Sequence, residues 1–261
     1  MKGNKAIHRT GIFFVLLFYL FLYLPITVLI TFSFNDRGFP APWKNFSLRW
    51  YIELFESSHL WDAFYTSLII GLSTTLLSLA LGVALIFHAA QGGRVRHFLG
   101  LFFANLIIPE TVLAVSLLSA YSLFSIELGY ATLIVAHTVL GLGFVIPILY
   151  AKFSQIDSRL FEASLNLGAS PVKTFFKITL PLLRPSIIAC SLLVFIISFD
   201  DFIFSYFCSG SAIQTLPLYV LAVIRSGLSP VVNALASILL LLSSAFALLF
   251  FTLNKRSKIA F

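Results

Sequence analysis

Six apolar runs punctuate the chain, at residues 11–34, 64–90, 98–125, 130–151, 185–208 and 233–253. Each is long enough to cross about 30 Å of hydrocarbon as a helix. The run at 130–151 contains Gly141, Gly143 and Pro147, residues that transmembrane helices tolerate because neighbouring groups satisfy the freed backbone. The pattern predicts an all-α, polytopic membrane protein with six transmembrane helices. Residues 1–261 form one transmembrane domain on this reading: a first span at 11–34, an outer loop at 35–63 and core spans within 64–253.

Composition agrees. Of 261 residues, 59% are hydrophobic and 10% charged, and mean hydropathy is +1.01, whereas a soluble domain carries about 25% charged residues. Lys2, Lys5 and Arg9 precede the first run in the manner of a secretory signal, but Gly11 to Phe34 is too long for a signal core and no small-residue cleavage site follows. An uncleaved first span is expected.

The basic residues fall in short clusters between apolar runs, which suits membrane topology and argues against a nucleic-acid partner. Thirteen of the 17 lysines and arginines collect on one side of the six-span arrangement: Lys2, Lys5, Arg9, Arg94, Arg96, Lys152, Arg159, Lys173, Lys177, Arg184, Lys255, Arg256 and Lys258. Arg37, Lys44, Arg49 and Arg225 fall on the other. The positive-inside rule then makes both termini cytoplasmic. Trp43, Trp50 and Trp61 mark the outer loop, where their amphipathic rings suit a membrane interface. Cys190 and Cys208 both lie in apolar runs, so neither a disulfide framework nor a metal site is indicated. His88, His97 and His137 show no paired ligand spacing and receive no role.

The only long loop on the basic side, 157–183, reads as two short helices. Asp157 or Ser158 caps the first, with Leu160, Ala163, Ser164 and Leu167 on one face and Gly168 as the stop. Ser170 followed by Pro171 restarts the helix. Glu162-Ala163-Ser164, three residues, Gly168, nine residues, then Ile178-x-Leu180-Pro181 resembles the cytoplasmic signature of binding-protein-dependent ABC importer permeases. Ser164 departs from the second alanine usual in that family, but it is also small.

This resemblance implies the type I importer permease fold and a coupling helix, Glu162 to Gly168, seated in a groove of a separate ATPase. It further implies two copies of that ATPase carrying ATP and magnesium, a second homologous permease subunit and a periplasmic or extracellular solute-binding protein. The bacterial inner membrane is the implied location. The chain itself is expected to be a transport subunit, with no cofactor and no catalytic residue of its own. Gly168-Ala-Ser-Pro-Val-Lys173-Thr174 lacks the second glycine and lysine spacing of a phosphate-binding loop.

Three acids lie in apolar runs: Glu110, Asp200 and Asp201. Ionised groups there are costly and by default mark a pathway. Along continuous helices, Asp200 stands sixteen residues beyond Arg184 and Glu110 fourteen beyond Arg96, about 24 and 21 Å up at 1.5 Å per residue. On a helical wheel Asp201 continues a polar stripe of Ser191, Ser198, Ser205 and Cys208, whereas Asp200 faces Ile196, Ile203, Phe204 and Phe207. Asp201 is the first pathway candidate, with Asp200, Glu110, Phe204 and Ser198 beside it.

Acids among aromatic rings favour a cationic solute. Phe199-Asp200-Asp201-Phe202, Leu216-Pro217-Leu218, the stretch from Arg225 to Leu240 and Pro109-Glu110 resemble the spermidine/putrescine importer permeases. That likeness implies polyamine import by alternating access. The nearest alternatives are importer permeases for iron, sulfate or thiamine, and then a proton-coupled secondary transporter using the same acids as a relay. A membrane enzyme would need a nucleophile, base or metal cluster, and none is visible.

Overall fold

The computed structural model describes residues 2–38, 41–95, 97–226, 230–241 and 244, with side chains of residues 2–10 and 226 excepted. Every regular element among them is helical. Residues up to Leu60 and from Val220 form one compact unit, and Trp61–Tyr219 the other.

The first unit opens with α1, Lys2–Ser33. No residue in the most apolar window of its stretch Gly11–Ser33 is buried, as expected of a helix whose whole circumference is apolar and meets lipid. The chain then turns back through a single antiparallel bridge between Asn35 and Phe46. Asn35 is fully buried and holds the turn together. Its Oδ1 accepts the Lys44 N–H at 2.9 Å, and its carbonyl accepts the Trp50 indole N–H at 2.7 Å. Phe34 and Phe46 stack at 5.3 Å. Helix α2, Arg49–Glu56, follows. The expected outer loop at 35–63 thus contains a short helix and the start of the next one.

The second unit is built around α6, Tyr130–Phe153. Helix α3, Ser58–Ala90, runs into it. Then come α4, Leu99–Ile107, and α5, Glu110–Leu123. Beyond α6 lie α7, Ser158–Asn166, α8, Pro171–Thr174, a π-helical turn at Phe175–Thr179 and α9, Leu180–Phe199. Two further helices are α10, Ile203–Cys208, and α11, Leu216–Ser226, which passes into the first unit. A twelfth, α12, is Pro230–Leu241.

Helix α6 packs against α4, α5, α9 and α10, and 61% of its most apolar window is buried. Its small residues allow this. A Cβ on Gly141 would lie 2.5 Å from Ser78 Oγ and 3.0 Å from Val194 Cγ1, so only glycine lets α3 and α9 approach so closely. One core cluster joins Ile70, Ala114, Tyr121, Leu133, Ala136 and Phe204. Another joins Ile86, Val145, Leu149, Phe175, Leu183 and Val194.

Two of the six expected spans depart from single straight helices. The run 98–125 is bent by 113° between α4 and α5. Ile108 and Pro109 are both extended there, because proline disfavours helix at the residue before it and has no N–H to donate. The run 185–208 ends as α9 at Phe199 and restarts as α10 at Ile203. Among the described residues, four helices are long and apolar enough to span, five with the bent pair taken as one. The run 233–253 lies mostly outside the described residues, as do Arg96, Lys255, Arg256 and Lys258.

Candidate functional site

The loop at 157–183 folds as its residues dictate. Asp157 accepts the Arg159 N–H at 2.9 Å and caps α7. At the other end Gly168 has φ +82°, the left-handed conformation that costs glycine nothing. The Ala169 N–H donates to the Ser164 carbonyl at 3.1 Å and the Gly168 N–H to the Leu165 carbonyl at 2.9 Å, which together make a Schellman stop. Ser170 caps α8 by accepting the Lys173 N–H at 3.3 Å, with Pro171 at the first helical position. Two short helices in this order were expected. The second does not end, however: α8, the π turn and α9 run on as one helix, Pro171–Phe199.

Helix α7 is amphipathic, yet none of its residues is buried. Glu162 and Ala163 are exposed, and so are Leu160, Leu165 and Leu167, the last at 88%. Beneath it lies a cavity of about 310 Å³ lined in part by Ala90, Gln91, Phe161, Leu165 and Thr179. Ser164, the departure from the expected alanine, bonds its hydroxyl to that of Thr174 at 2.9 Å, tying α7 to α8. Ile178 lies in the π turn, and Leu180 and Pro181 open α9; all three are half-buried.

The acids meet different fates at the breaks. Glu110 is the first residue of α5 and is exposed, a position where the helix dipole favours a carboxylate. Asp200 terminates α9, its N–H donating to the Ile196 carbonyl at 3.1 Å, and its side chain is exposed. Asp201 turns inward and is 8% exposed. Its Oδ2 accepts the Ser205 N–H of α10 at 2.9 Å and lies 3.3 Å from His137 Nε2. That contact is electrostatic, since Nε2 is not aligned for a hydrogen bond.

His137 is 1% exposed, and its Nδ1 bonds the Ser198 hydroxyl at 2.6 Å. Its ring meets Phe204 edge-on at 6.1 Å. Ser198, His137, Asp201 and Phe204 therefore form one buried group that stitches α6 to both sides of the break, while Asp200 and Glu110 stand outside it. The wheel that placed both aspartates on one helix does not apply across this break. His137 had no role in the sequence because its partners lie 61 or more positions away; the available signal was that it is the one residue among Asp, Glu, His, Lys and Arg within the fourth run.

No family model matches the chain. It is 36% identical over 240 residues to the spermidine/putrescine transport system permease protein PotC of Haemophilus influenzae, covering 90% of this chain and 93% of that one. It is 33% identical over 235 residues to the putrescine transport system permease protein PotI of Escherichia coli, covering 87% and 84%. A crystal structure of a bacterial ABC transporter that imports the acidic polysaccharide alginate matches at a TM-score of 0.71 and 13% identity, over 98% of both chains. The alginate transporter in complex with its oligosaccharide-bound periplasmic protein matches at a TM-score of 0.69 and 16% identity, over 95% of this chain and 93% of that one. The structural matches give the ABC importer permease fold, and the sequence matches place the chain in the family of spermidine/putrescine transport system permease proteins.

Proposed function

We propose that this chain is one of two homologous membrane subunits of an inner-membrane importer that carries polyamines into the cytoplasm by alternating access. The near full-length likeness to polyamine permeases carries the reading. The bare apolar face of α7 supports a docked partner, since a helix with exposed Leu160, Leu165 and Leu167 is otherwise left in water. An ATPase subunit, two copies per importer and loaded with ATP and magnesium, takes that face. Glu162, Ala163, Ser164 and Gly168 make the contact, and Ile178, Leu180 and Pro181 pass the movement into α9. A solute-binding protein delivers the polyamine on the opposite side, and both termini of the chain face the ATPase.

Polyamine ammonium groups need compensating charge in a medium of low dielectric. Glu110, Asp200 and Asp201, each at a helix break, supply it, with Ser198 and Phe204 grouped with Asp201 around His137. The acids act as passing partners, because a site that binds too tightly does not release its solute.

Labelled putrescine and spermidine uptake by the reconstituted importer tests the reading. Uptake should require ATP, and Glu162→Ala or Gly168→Val should abolish it while the chain still inserts. Normal uptake by both variants refutes the docking role. Uptake driven by a pH gradient without ATP would make the acids a proton relay instead.

A further inference from the structure

We propose that His137 is a positioning residue for substrate passage: it anchors Asp201 inside the bundle and thereby presents Asp200 to the cation. The inference rests on the reading of Asp200 as a pathway acid.

Ionised, Asp201 can only accept hydrogen bonds, and it is 8% exposed. Its Oδ2 serves the Ser205 N–H and faces His137 Nε2. For a neutral ring the polarity of the row follows: the Nε2 proton is turned towards the carboxylate it faces, and Nδ1 is left to accept the Ser198 hydroxyl. The Ser198 contact fixes the ring and its tautomer, much as outer groups orient a working histidine. Ser198 sits on the last turn of α9 and Asp201 just beyond it, so His137 grips the break from both sides. Helix α6 is the most deeply buried spanning helix, which makes the grip rigid.

Among the described residues, Asp200 has no such tether on its side chain. It is the neighbour of a fixed residue, at a helix end, and is exposed. With Asp201 held inward, the chain direction at the break leaves Asp200 outward. Loosening His137 frees the break and lets the two aspartates exchange places.

The test compares polyamine uptake per ATP hydrolysed in proteoliposomes containing the full importer. Poor folding or assembly lowers uptake and hydrolysis together and leaves their ratio unchanged; a misplaced pathway acid lowers the ratio. Asp200→Asn should reduce the ratio about tenfold, the loss of one contact worth 1.4 kcal/mol. His137→Asn keeps an amide near Ser198 but cannot reach Asp201, and should reduce the ratio several-fold. His137→Gln puts an amide N–H near the Nε2 position and should restore it. The double variant His137→Asn with Asp200→Asn should be no worse than Asp200→Asn alone, because His137 acts through Asp200. An unchanged ratio in His137→Asn, no rescue by glutamine, or multiplied losses in the double variant would each overturn the proposal. An unchanged ratio in Asp200→Asn removes the pathway reading itself, and is recognised because it appears without any change at His137.

Discussion

The segment 157–174 and the break at 200–202 are both interruptions between helices, but they are made in opposite ways. The first is built by neighbours in sequence: Asp157 caps two residues on, Gly168 closes a stop within five positions, and Ser170 with Pro171 restarts the helix. The second is built by a residue on another helix, His137, which faces Asp201 and Ser198. A locally made interruption survives when its surroundings change, so it can serve as a movable docking element. One made by tertiary contacts exists only while those contacts hold, and so reports on the packing of the bundle.

The largest test of that contrast is His137→Leu, which leaves the Asp201 carboxylate buried and unpaired. Leaving a buried polar group without its partner costs about 1–3 kcal/mol, and more for a charged one, and the detergent-purified importer should unfold at a clearly lower temperature. Adding Asp201→Asn should recover most of the loss, because the neutral amide still accepts the Ser205 N–H. An unaltered midpoint in His137→Leu would mean that the break is also made locally.

A smaller and spatially confined effect is expected from Gly168→Ala. The added Cβ meets nothing within 4 Å, so its cost is the left-handed backbone alone, about 1–2 kcal/mol. Hydrogen exchange should quicken over 164–170 while the thermal midpoint barely moves. Asp157→Ala removes one cap, about 1 kcal/mol, and should quicken exchange only in the first turn of α7. A drop in the midpoint with either variant would show that this segment too is held by the bundle.

What could be read in the sequence follows the same division. Asp157, Gly168, Ser170 and Pro171 announce their structure because cap and stop chemistry acts over two to five residues. Pro109 likewise carries the cause of the α4–α5 bend, although an apolar run alone reads as a continuous span. The inward turn of Asp201 was not legible: periodicity assumes an unbroken helix, and the residue that breaks it lies on α6. The bond from Ser164 to Thr174 was hidden for a related reason, since it depends on how α7 folds back over α8.

The helix from Pro171 to Phe199 has 29 residues, about 43 Å at 1.5 Å per residue, against a hydrocarbon thickness of about 30 Å. It is too long to sit wholly in the bilayer unless strongly tilted. Its surplus of roughly two turns matches the length of α8 and the π turn, the end that Ser164 ties to α7 through Thr174. On the proposed docking role, a push at α7 would reach Asp200 along this one helix without crossing a further loop.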